Sequence, residues 1–218
     1  MIFGLAVVFG WLLVGAAGKP WIRNQEQWLI VDLLFCVTFL FAGMMLYGSG
    51  LRWKESTLVE SSVAVQAAAV ILSGLIAFML PGALLLSRQH WNPLVLQTSR
   101  LTVVRPSVTK VWLLLSVALT EEILFRGLLI HALSLDGLSR YLATAVSWGL
   151  FCLVHLGWKK IAALVDVALA GIVICAAFLA AGLIGAVITH CLYNTSTAFF
   201  CLKKRDSDVR SETTSEQC

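Results

Sequence analysis

Apolar runs close to twenty residues long recur along this chain of 218 residues, and they limit its possible folds more than any other feature. A bilayer core needs about 20 apolar residues per helix, and backbone groups inside it must be satisfied within the segment. The sequence on that basis predicts seven spans, at about 1–18, 28–48, 61–85, 111–133, 141–157, 166–180 and 182–202, of which the fifth and sixth are short. A mean hydropathy of +0.88, with 59% hydrophobic and 13% charged residues, excludes a soluble globular protein. With only 4 Pro beside 16 Gly, and apolar side chains in nearly every window, disorder, collagen and a disulfide-stapled scaffold are excluded too. The expected fold is an all-α integral membrane protein, a bundle of about seven transmembrane helices.

The net charge of +4 is modest and its basic residues form no nucleic-acid patch, so the charge is read as topology. Twelve basic residues fall on one side: Lys19, Arg23, Arg88, Arg100, Arg105, Lys110, Lys159, Lys160, Lys203, Lys204, Arg205 and Arg210. Three fall on the other, Arg52, Lys54 and Arg140, which places the carboxyl tail in the cytoplasm and the amino terminus outside. The first span has the small residues of a signal-peptide cleavage site at Gly15 to Gly18, but nothing basic precedes its apolar run, so a retained helix is expected. Residues 86–109, with Trp91, Pro93 and three arginines, suit the cytoplasmic headgroup layer, and the polar tail from Lys203 is expected to be disordered. The six cysteines lack C-x-x-C spacing and read as packing, and Cys218, with no residues after it in this sequence, is not expected to be the cysteine of a prenylation box.

Ionisable side chains within a span are costly unless paired, so each marks a candidate site. In VWLLLSVALTEEILFRGLLIHAL, Glu122 and Arg126 stand at i and i+4, the spacing of a helical ion pair, whereas Glu121 points about 100° away. One glutamate is expected to be structural and the other to project elsewhere. Phe151 and His155 share a face of the fifth span, and His190 and Asn194 share one of the seventh. A lone intramembrane histidine is more often interhelical glue than a catalyst. A carboxylate, two imidazoles and a carboxamide together are the parts needed to activate water and to hold an oxyanion. His131, Asp32 and Asp166 lie near span edges and are left out of the site, and the sequon Asn194-Thr195-Ser196 falls inside a span. Ala181 with Gly185, and Gly182 with Ala186, are small-xxx-small pairs that would let the seventh helix approach a neighbour.

These motifs, E-E-x-x-x-R at Glu121, Glu122 and Arg126, F-x-x-x-H at Phe151 and His155, and H-x-x-x-N at His190 and Asn194, occur in one order and each in an apolar span. The sequence thereby resembles the CAAX protease and bacteriocin-processing group, the type II CAAX prenyl protease family, over about residues 110–200. The resemblance implies a membrane-helical fold with a cavity open to the cytoplasmic leaflet, and three parts to the chain: N-terminal membrane helices and an interfacial segment over 1–109, a CAAX-protease-like catalytic domain over 110–202, and the tail over 203–218. It implies an intramembrane endopeptidase in which Glu121 and His155 activate water, His190 and Asn194 stabilise the oxyanion, and Glu122 with Arg126 holds the helix.

Members of this group have been described both as metalloproteases and as glutamate proteases. Glu121, His155 and His190 could supply three zinc ligands, but no H-E-x-x-H is present and Asn194 is a poor zinc ligand, so a metal-free glutamate protease is the favoured reading. The expected partners are a membrane-associated or lipidated peptide or protein and the lipid bilayer, without nucleic acid, in a multi-pass protein of the bacterial cytoplasmic membrane. Two other classes compete: a non-catalytic immunity or scaffold protein using the same fold, and an ion or proton pathway built from the same groups.

Overall fold

A computed structural model describes residues 25–47, 62–87, 108–156 and 161–215, together with Ala6, Val7, Phe9, Gly10 and Leu13 of the first span. Every regular element among them is helical: α1 (Gln25–Tyr47), α2 (Val63–Ser87), α3 (Val108–Glu122), a π-helical stretch (Ile123–Leu129), α4 (Ile130–Leu135), α5 (Arg140–Leu156) and α6 (Ile161–Ser215). The chain from Val108 to Leu135 runs as one helical body, so the described residues form five bodies, against seven spans expected over the whole chain. Most of the first span and the 88–107 part of the interfacial segment lie outside the described residues. Val7 nevertheless packs in the core with Phe35 and Cys36 of α1.

The expected sixth and seventh spans are the two limbs of α6, separated by a break at Gly182 (φ 68°, ψ −161°), where the boundary between them was expected. The break is sharp. A Cβ on Gly185 would lie 2.8 Å from the Ala177 carbonyl oxygen, eight residues earlier, whereas eight residues of unbroken helix would separate the two by about 12 Å. The small residues at Ala181 and Gly185 thus bring the two limbs of α6 together. The C-terminal limb continues helical to Ser215, into the tail for which composition predicted disorder. Propagation adds a hydrogen bond per residue once a helix exists, so a polar tail can extend it without a core.

Local signals set the other ends. Ser62 and Ser139 each accept a hydrogen bond from the backbone N–H three residues on, capping α2 and α5. Gly137, at φ 91°, ends α4, with Leu138 N–H on Leu133 O and Gly137 N–H on Ser134 O.

Two helices are long and apolar enough to cross a membrane, Val63–Pro81 and Leu164–Thr197. Only 17% of the apolar window in Val63–Pro81 is buried, and Ile71, Leu72, Leu75 and Met79 face outward. A helix that is apolar and exposed suits lipid, while the buried set includes Glu121, Glu122, Arg126 and His190. The distribution is that of an integral membrane protein.

Pairs of polar contacts fix the helix directions. Ser73 meets Thr189 at 2.9 Å and Ser196 reaches Ala77 O at 3.4 Å, so α2 runs parallel to the C-terminal limb of α6. Pro81 has no N–H for the Ala77 carbonyl four residues before it; the Ser196 hydroxyl, shared with Tyr193 O at 2.9 Å, approaches that freed acceptor. Asn194 against Leu114 and His190 against Glu122 make α3 antiparallel to the same limb. Ser147 on Phe125 O and Trp148 on Ala168 O lay α5 between α3 and the N-terminal limb of α6.

Candidate active site

The three motifs meet where α3 gives way to the π-helical stretch. Glu122 and Arg126 are fully buried, and Arg126 Nη1 donates to Glu122 Oε1 at 3.0 Å. The pair expected from i, i+4 spacing forms, although the helix between the two residues changes register. A π-helical turn inside a helix is frequent at functional sites, because it rotates the following side chains relative to the preceding ones. Here it leaves Glu121 and Glu122 on regular α-helix and Arg126 within the π stretch.

His190 reaches the glutamates from the C-terminal limb of α6. Its Nδ1 lies 2.8 Å from Glu122 Oε1 and its Nε2 3.7 Å from Glu121 Oε2. His155 reaches them from α5, with Nδ1 2.8 Å from Phe151 O and Nε2 4.0 Å from Glu121 Oε1. A carbonyl only accepts, so His155 Nδ1 carries the hydrogen, and in the neutral ring Nε2 presents a lone pair. Two imidazoles from two different helices thus turn Nε2 toward one carboxylate. His155 is the most exposed of the three, with 15% of its side chain accessible against 8% for Glu121 and 7% for His190. The site is most accessible on its α5 side.

Phe151 binds the motifs to one another. Its ring lies 4.6 Å from the Arg126 guanidinium carbon and 4.6 Å from the His155 ring, and it meets His190 edge-on at 6.2 Å. The aromatic of F-x-x-x-H therefore offers a face to the buried cation and a carbonyl to the histidine that follows it.

Five of the six expected site residues, Glu121, Glu122, Arg126, His155 and His190, come together in this cluster. Asn194 stands apart: its Nδ2 is directed at Leu114 O, at 3.5 Å, and Leu114 lies two turns before Glu121 on α3. Sequence reasoning missed the second role of Glu122, which holds His190 as well as Arg126. It also missed Ser147, whose fully buried hydroxyl donates to Phe125 O at 2.7 Å, and Cys175, 3.8 Å from Arg126 Nη2. For Ser147 a signal existed, since Ser147, Phe151 and His155 form an i, i+4, i+8 stripe.

Zinc is the metal that the donor types would suit, and both Nδ1 atoms are held by acceptors as in zinc-bound histidines. Bonds of about 2.0–2.2 Å in a tetrahedron place donors roughly 3.3–3.5 Å apart. The Glu121 oxygens stand 4.0 and 3.7 Å from the two Nε2 atoms, and no group of three or more His, Cys, Asp or Glu among the described residues is arranged to hold a metal. The residues as placed do not form a zinc site.

No curated protein and no solved structure matches the chain. Residues 104–196 match a protein-family model, and they contain every residue of the cluster. That segment, with its buried E-E-x-x-x-R helix and converging histidines, is similar to the Rce1-like family, described as type II CAAX prenyl endopeptidase.

Proposed function

We propose that this protein is an intramembrane endopeptidase that hydrolyses a peptide bond in a membrane-associated or lipidated peptide or protein. The convergence of His155 and His190 on Glu121, with both Nδ1 atoms fixed, carries this reading. The family-model match over residues 104–196 supports the reaction class.

In the mechanism we infer, a water between Glu121 and His155 gives a proton to this pair, and its oxygen adds to the scissile carbonyl carbon. The oxyanion is met by His190, acting with both ring nitrogens protonated; the carboxylates of Glu122 and Glu121 flank that charge. Asn194 adds a donor once its 3.5 Å contact with Leu114 O, at the long limit of a hydrogen bond, is exchanged for substrate. The C–N bond then breaks, and the proton taken from water passes to the leaving amine. Glu122, Arg126 and Phe151 position His190 and His155. The chain uses no metal in this scheme. It lies in the bacterial cytoplasmic membrane with its amino terminus outside and its carboxyl tail in the cytoplasm, by its basic residues.

New peptide termini in membranes of cells lacking the protein, compared between wild type and Glu121→Ala restored at matched abundance, test the proposal. Termini that appear only with wild type support it and reveal the substrate. Coincident profiles, with a phenotype conferred by both forms, would replace it with a non-catalytic binding or immunity role.

A further inference from the structure

The geometry points to Ser147 as a positioning residue that sets the register of α5 and thereby the approach of His155 to Glu121. Three contacts link α5 to the α3 and π-helical body as an antiparallel ladder. Ser147 Oγ donates to Phe125 O at 2.7 Å, the Phe151 ring takes the Arg126 guanidinium at 4.6 Å, and His155 Nε2 faces Glu121 Oε1 at 4.0 Å. The three α5 residues are four apart, so they lie on one helical face and project at successive turns. Their partners step back along the other body, from Phe125 and Arg126 to Glu121.

The rungs differ in how narrowly they specify distance. A cation over an aromatic face tolerates lateral displacement, and a 4.0 Å separation tolerates still more. The Ser147 hydrogen bond is short, directional and fully buried, with a fixed backbone carbonyl as acceptor. That carbonyl belongs to the π-helical stretch, where backbone bonding departs from the α pattern. Ser147 ties the register of α5 to the same distortion that orients Arg126. Without it, α5 can slide or turn by a fraction of a residue, and the displacement is felt two turns away at the partly exposed His155.

The test reads the His155–Glu121 relationship directly, in the full chain held in detergent micelles. With [15N]histidine-labelled protein, Glu121→Gln is expected to change the His155 ring-nitrogen shifts. In a Ser147→Ala background that change should fall to about half or less, and Ser147→Thr, which keeps the hydroxyl, should restore it. Ser134→Ala serves as a control, since its hydroxyl bonds within its own helix, to Ile130 O. An unchanged Glu121→Gln effect in Ser147→Ala overturns the inference, as does a loss that Ser147→Ala and Ser134→Ala share.

A kinetic arm rests on the protease reading above and uses a farnesylated CAAX-box peptide as the probe. Ser147→Ala should lower kcat by about tenfold or more with KM unchanged, as for a misplaced catalytic group. If the nitrogen-shift coupling falls but no form cleaves the peptide, Ser147 still positions His155, and it is a prenylated CAAX-box peptide as substrate of the proposed endopeptidase that is contradicted. If kcat falls while the coupling is intact, the positioning role is wrong.

Discussion

Glu122 Oε1 is shared by His190 Nδ1 at 2.8 Å and Arg126 Nη1 at 3.0 Å, so one oxygen of a fully buried carboxylate ties the C-terminal limb of α6 to the π-helical stretch. The E-E-x-x-x-R motif is therefore more than a helical ion pair with a spare acid. Its second glutamate, placed by Arg126, sets the ring plane of a histidine 68 residues away in sequence.

Removing one member of this buried pair should cost more than removing the pair. Arg126→Met leaves the Glu122 carboxylate without its cation and should destabilise the protein by about 3–5 kcal/mol. Glu122→Gln/Arg126→Met should recover more than half of that loss, without restoring activity. Thermal unfolding in detergent, with membrane abundance, checks this; a double variant no more stable than Arg126→Met would contradict it.

Glu121, with only 8% of its side chain accessible, faces both imidazoles, while the Arg126 hydrogen bond goes to Glu122. Glu121→Gln and His155→Ala should each lower peptide release by about a hundredfold or more, with abundance close to wild type. Full activity in Glu121→Gln, measured at equal protein in the same membranes, would move the catalytic role to another residue.

Gly182 and Gly185 permit the sharp reversal in α6. Gly182→Ala forces a side chain into positive φ and should cost about 1–3 kcal/mol. Gly185→Ala places a Cβ 2.8 Å from the Ala177 carbonyl oxygen, and this backbone clash should cost a similar amount, about 1–3 kcal/mol. Melting temperatures that stay within one degree of wild type for both variants would show that the limbs are not held this closely.

Pro81 and Ser196 should be energetically coupled, because the proline leaves the Ala77 carbonyl that the serine approaches at 3.4 Å. Ser196→Ala should cost about 0.5–1.5 kcal/mol in the wild-type background and less in Pro81→Ala, where residue 81 regains an N–H for that carbonyl. A double-mutant cycle with equal costs in both backgrounds would leave the contact without energetic meaning.

Chelation should leave cleavage unchanged, since the Glu121 oxygens stand farther from the two Nε2 atoms than ligands of one tetrahedral zinc. Activity abolished by a chelator and restored by zinc alone would show that the three side chains close around a metal during turnover.

The sequence by itself determined the helical membrane class, because uninterrupted apolar runs in a chain this poor in charge admit few other structures. It determined the Glu122–Arg126 pair, because i, i+4 contact is a local property of a helix, and the grouping of Phe151 with His155 follows from the same period. The recognisable motif order likewise lies in the chain. The boundary between the sixth and seventh spans was legible at 180–182, where the chain breaks at Gly182; how closely the two limbs then pack was not, and the contact of Gly185 with Ala177 decided it. Only the tertiary structure could bring His155 and His190 to opposite oxygens of Glu121, give Glu122 to His190 and assign the Phe125 carbonyl to Ser147. It also directed Asn194 Nδ2 at Leu114 O, a contact that its place one turn after His190 does not disclose. Periodicity says which residues share a face of one helix; which faces meet, and at what register, depends on how several helices fill space together.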